Sequence, residues 1–211
     1  MDIPFTIEQF FEIFGRYNES VWPAQIGLNM LALAAVGLLF TGHSASDRVI
    51  AIILGGFWLW MAVAYHLLFF AAINPAAWVF GLFFLTEALW IIWLGAVQGK
   101  LHFRVTSELR GMLGITLLVF SLVIYPVLGY LLGHHYPYIP TFGLPCPTTI
   151  FTLGTFLMLS APIQRSVFIV PLLWTAVGSV AAFKLGVLQD LSLLAAGMIG
   201  LYALIMRARR A

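Results

Sequence analysis

Val49–Val97 reads VIAIILGGFWLWMAVAYHLLFFAAINPAAWVFGLFFLTEALWIIWLGAV. In that length it carries one formally charged residue, Glu87, one histidine, His66, and a single turn signal, Asn74-Pro75. Crossing a hydrocarbon core of about 30 Å takes about 20 apolar residues in a helix, and each crossing segment must close its own backbone hydrogen bonds. The stretch therefore predicts two membrane-spanning helices joined near Asn74-Pro75. It fixes the fold class as an all-α, polytopic transmembrane helix bundle.

Working outward, the same apolar pattern predicts seven spans: 23–41, 49–73, 75–98, 110–132, 147–161, 167–184 and 190–206. Composition agrees, with 62% hydrophobic and 9% charged residues and a mean hydropathy of +1.02. A soluble domain is about a quarter charged, so that class is excluded. The spans use nearly all of the 211 residues, which predicts a single domain over 1–211, with an interfacial helix at 1–22 and the bundle at 23–206. A net charge of +2 without a basic stripe argues against nucleic acid as a partner and leaves the lipid bilayer. The acidic start Met1-Asp2-Ile3-Pro4 lacks a basic n-region, so no cleaved signal peptide is expected.

Lys and Arg set the orientation. With the N-terminus outside, Arg48, Lys100, Arg104, Arg110, Arg165, Arg207, Arg209 and Arg210 fall inside, against Arg16 and Lys184 outside. This predicts N-out/C-in. Thr6 and Gln9 have capping-box spacing. Ile7, Phe10, Phe11, Phe14 and Tyr17 repeat at helical intervals, which predicts an amphipathic helix lying in the headgroup layer or packed as a lid on the outer mouth. The fifth span is short, and before it runs His134-His135-Tyr136-Pro137-Tyr138-Ile139-Pro140-Thr141-Phe142-Gly143-Leu144-Pro145-Cys146. Its prolines forbid regular helix, and it is too apolar for a solvated loop. A re-entrant segment is the expected outcome.

Cys146-Pro147-Thr148-Thr149 reads as a helix start with Pro147 at its first position, offering free backbone N–H groups at membrane depth. Ionisable residues within spans are costly and mark sites. His66, Glu87, Tyr125, Thr141, Gly143, Cys146, Thr148, Thr149 and Asp190 are the candidate substrate- or ion-binding residues, all but Glu87 toward the outer half. His66, His134, His135 and Cys146, with Asp190, are donors acceptable to zinc or copper, although no pair has i, i+4 spacing. Cys146, the single cysteine, excludes an intramolecular disulfide. Nucleophilic and metallohydrolase motifs are absent, and a retinal Schiff base lacks its lysine in the last span.

Met1–Gln25, Tyr65–Trp78, Pro140–Gly154 and Gly178–Gly197 together resemble a bacterial family of small integral membrane proteins described only as a domain of unknown function. The resemblance covers nearly the whole chain. It implies an inner-membrane protein of bacteria and carries no activity; Lys184 departs from the apolar residue expected there. Three functions are open: transport or permeation of a small solute or ion through the outer half of the bundle, a metal-binding membrane enzyme or sensor, and an accessory subunit of a membrane assembly. A homo-oligomer is compatible with each.

Overall fold

The computed structural model describes residues 4–160 and 163–208, the last two by backbone alone. Arg209, Arg210, the Arg207 side chain and Ala161, which ends the expected fifth span, lie outside the described residues. The chain is all-α, with helices α1 (Ile7–Val21), α2 (Ala24–Leu39), α3 (Ser44–Trp60), α4 (Ala77–Ile91), α5 (Leu109–Val119), α6 (Tyr125–Leu131), α7 (Pro145–Phe156), α8 (Ile169–Leu185) and α9 (Ser192–Ala208). Wider π-helical turns extend α3 over Met61–Leu67 and α4 over Ile92–Val97, and join α5 to α6 over Phe120–Ile124. Asn74 makes the expected turn, its side-chain oxygen accepting from the Ala76 N–H at 3.1 Å.

Among the described residues five helices are long and apolar enough to cross a membrane: Ser44–Ala72, Ala77–Val97, Leu109–Leu131, Arg165–Leu185 and Leu188–Met206. A sixth is gained if α1 and α2, bent by 85° at Trp22-Pro23, count as one. Of the seven spans expected, five to six have the length and apolarity to cross a membrane. Hydropathy counted α2 and α7, but these have 16 and 12 residues. From Pro147 to Phe156 every residue of α7 is buried by its neighbours. Its length is set by protein packing, so it need not match the thickness of lipid.

Two ends emerge from the loops. At one end, buried Asp47 gathers the loop after α4: Arg104 Nη1 donates at 2.9 Å and the Phe103 N–H at 3.0 Å, with His102 Nδ1 at 3.2 Å. Arg110 Nη1 and the Arg104 N–H reach the Leu159 and Met158 carbonyls at 2.9 and 2.8 Å, tying in the segment after α7. The opposite end holds α1, the proline-rich segment and the turn between α8 and α9.

Helix α1 begins with the expected capping box, Gln9 N–H to Thr6 Oγ1 at 3.2 Å and Thr6 N–H to Gln9 Oε1 at 2.9 Å. Its apolar face lies on the bundle: Phe10, Ile13, Phe14 and Tyr17 are buried, and the Tyr17 hydroxyl accepts from Trp60 Nε1 at 2.7 Å. The helix thus packs on the bundle, over the end that holds the proline-rich segment. Each such aromatic contributes about 1.5–3 kcal/mol when withdrawn from water. The non-helical segment 132–144 is held under α1 by Asn18, whose Nδ2 donates to the Ile139 carbonyl at 2.8 Å and to that of Pro137. Gly143 is obligatory there: its φ is +101°, and a Cβ would stand 2.6 Å from Leu28 Cδ1.

Candidate functional site

Below α1 lies a cavity of roughly 330 Å³. Phe5, Phe10 and Phe14 roof it, the end of α8 and the start of α4 flank it, and the start of α7 forms its floor. Most of the wall is apolar. Its polar groups include Cys146, Asp190, Tyr65, Asn74, Lys184 and the edge of Trp174.

Asp190 sits in the 3-10 turn Leu188–Leu191 that leads into α9, and is 4% exposed. The Tyr125 hydroxyl donates to its Oδ1, and the Cys146 thiol interacts with the same carboxylate. One acidic group thus gathers a phenol from α6, a thiol from α7 and the α8–α9 turn. Trp174, on α8, is 9% exposed and its Nε1–H has no full hydrogen bond. The Cys146 sulfur is close enough for a weak interaction with it.

Deeper in the bundle, His66 lies on the π-helical extension of α3 and is fully buried. Its ring contacts those of Phe84 and Trp174, with centroids 4.5 and 5.3 Å away. Neither ring nitrogen has a partner. Glu87, one turn beyond Phe84 on α4 and 2% exposed, leaves Oε1 unpartnered. On α7, Thr149 one turn beyond Cys146 leaves its hydroxyl unpartnered too. Buried polar groups are nearly always hydrogen-bonded, so this concentration of exceptions sets the region apart.

The sequence candidates divide accordingly. Cys146 and Asp190 meet in the cavity wall and Tyr125 backs them; His66, Glu87 and Thr149 lie inward. Thr141 belongs to a separate hydrogen-bonded cluster, donating to Asn18 Oδ1 at 2.8 Å and accepting from Gln25 Nε2 at 3.1 Å. Thr148 accepts from the Gly143 N–H at 2.9 Å, so that both stabilise the start of α7. That start lies two residues earlier than expected. With Pro145 and Pro147 in the first turn, two of its N–H groups do not exist, and the Cys146 N–H is nearly alone as a free donor. The expectation of a donor-rich helix terminus is corrected.

Of the expected metal ligands, His134 pairs with Gln189 Nε2 at 3.1 Å and stacks on Phe11, while His135 packs on Tyr130. Among the described residues no three His, Cys, Asp or Glu side chains converge as a metal set. Trp174 and Tyr65 were missed because an aromatic within an apolar run looks like a lipid-facing or packing group. Only the N–H without a full hydrogen bond, visible in three dimensions, separates Trp174 from that class.

The chain belongs to a family of unknown function (DUF6064), whose model matches residues 7–211. No match was found among curated proteins or among solved structures. The family agrees with the kind suggested by the sequence; the membrane character rests on the helices themselves.

Proposed function

We propose that this protein transports, or allows permeation of, a small solute or ion across the bacterial inner membrane, as a multi-pass bundle oriented N-out/C-in. On this reading α2 and α7 are short passes completing seven, and 132–144 is a re-entrant segment before α7. The observation that carries it is the run of buried polar atoms without a full hydrogen bond, Trp174 Nε1, both nitrogens of His66 and Glu87 Oε1, leading inward from a cavity that holds a buried carboxylate. Uncompensated polar groups at membrane depth are expensive and are kept where they touch a solute, an ion or water. Asp190 and Cys146 bind the solute's polar end, the aromatic walls its apolar part, and His66 and Glu87 relay protons.

The test uses protons as the probe. Proteoliposomes loaded with a pH-sensitive dye and given an acid jump equilibrate faster than protein-free vesicles. Glu87→Gln and His66→Phe, each folded by its thermal midpoint, return the rate to that of empty vesicles. A wild-type rate equal to that of empty vesicles overturns the reading.

A further inference from the structure

The cavity is not sealed from the sides. On α8, Ile169, Leu173, Val177, Val180 and Phe183 form an exposed stripe at helical spacing, the face such a helix turns to lipid. Two of these, Val177 and Val180, also line the cavity. Val180 is 59% exposed, and both sit about 7–12 Å along the helix from its end at Leu185, at 1.5 Å per residue. Across the gap, exposed Ala76 and half-buried Phe80 at the start of α4 line the same space, and Trp78, Val79 and Leu82 continue outward as exposed apolar groups. Along the wall between α8 and the start of α4, residues that line the cavity are thus also exposed on the outer surface.

Inside that wall the chemistry is specific. Trp174 points its N–H, which has no full hydrogen bond and only the weakly accepting Cys146 sulfur beside it, toward the part of the wall formed by Gly178 and Cys146. A Cβ on Gly178 would lie 3.4 Å from Trp174 Nε1, so glycine keeps the approach to the N–H open. An indole can only donate, and a buried donor without an acceptor is costly to leave unmet. Trp174 lies about 16 Å along α8 from Leu185, at 1.5 Å per residue, below the depth of phosphate headgroups, where the acceptors that lipid can bring are carbonyl, ester and hydroxyl oxygens.

We propose that the cavity takes its ligand sideways from the membrane, between α8 and the start of α4. The ligand is a neutral, lipid-soluble molecule whose carbonyl or hydroxyl oxygen accepts from Trp174 while its apolar body fills the aromatic chamber under α1. This inference rests on the cavity being the binding site and names the class of molecule it takes. Two sources share that chemistry, a free apolar ketone or alcohol and the acyl ester of a membrane lipid.

The experiment is photolabelling of the full chain in nanodiscs of phosphatidylethanolamine and phosphatidylglycerol. The probes are a medium-chain methyl ketone carrying a diazirine, a phosphatidylethanolamine with the same diazirine in an acyl chain, and a hydrocarbon diazirine without oxygen as the reference for general lipid contact. Adducts are mapped by peptide mass spectrometry. At the cavity residues of α7 and α8, labelling by an oxygen-bearing probe exceeds that by the hydrocarbon. It falls about three- to tenfold in Trp174→Phe, as expected for one lost hydrogen bond. It also falls in Val180→Trp, which fills the gap between α8 and α4 from a lipid-facing position and leaves the thermal midpoint unchanged. Which of the two oxygen-bearing probes gives this pattern identifies the source. Cavity labelling unchanged in both variants overturns the lateral route and the Trp174 anchor while leaving the cavity as a binding site. Adducts no denser in the cavity than on the outer faces, with every probe, overturn the binding site as well.

Discussion

Asn18 uses both halves of its side-chain amide: Nδ2 serves the Pro137 and Ile139 carbonyls, and Oδ1 accepts from Gln25 at 2.7 Å and Thr141 at 2.8 Å. Asn18→Ala would leave the part-buried Pro137 and Ile139 carbonyls and one of the two bonds of the buried Gln25 amide, which keeps Thr141, unmet at up to about 1–3 kcal/mol each. The expected loss is about 2–4 kcal/mol, read as a lowered midpoint in chemical or thermal unfolding in detergent, with the segment 132–144 becoming protease-sensitive. A midpoint equal to wild type would show that this segment is held by packing alone. Charge rarity in an apolar chain was enough to mark His66, Glu87 and Asp190 in the sequence, and Cys146 stood out as the single cysteine at a helix start. Asn18 and Gln25 were not legible, because their importance lies in partners more than a hundred residues away. Trp58 shows the same limit: it resembles the lipid-facing tryptophans but is buried, donating to Thr152 at 3.1 Å.

At the scale of elements, α5 and α7 meet where side chains vanish. A Cβ on Gly154 would lie 3.0 Å from the Gly114 carbonyl oxygen and 3.2 Å from the Leu118 nitrogen. Small residues at such crossings let helices pack backbone to backbone, which is the main attraction available between apolar helices in lipid. Both obstacles are backbone atoms, so neither can swing aside. Gly154→Ala must therefore part the helices and costs about 1–3 kcal/mol, seen as a lower unfolding midpoint. Gly37→Ala, where a Cβ meets nothing, is the control and leaves the midpoint unchanged or slightly raised. The helices α3, α4 and α8 were legible as long apolar runs and α1 by its cap and periodicity. The start of α7 lies two residues before the one that Pro147 predicts, because Pro145 fills the first helical position.

The whole molecule sorts its charge by end. Asp47, Arg104, His102 and Arg110 knit one end together, while α1 and the proline-rich segment close the other. Alternation of the loops was legible because basic residues in short loops report the side they stay on. The number of full spans was not, since hydropathy cannot tell a helix buried in protein from one facing lipid, and α7 is the former. If the basic end faces the cytoplasm, cysteines placed in a Cys146→Ser background report it. His135 and Ser107 are both exposed and sit at opposite ends. His135→Cys then reacts with a membrane-impermeant maleimide in intact spheroplasts, and Ser107→Cys reacts only after permeabilisation. The reverse pattern would invert the orientation and turn the cavity toward the cytoplasm. Labelling of both in intact cells would mean that the helices between them do not cross an odd number of times, which the grouping of loops at two ends requires.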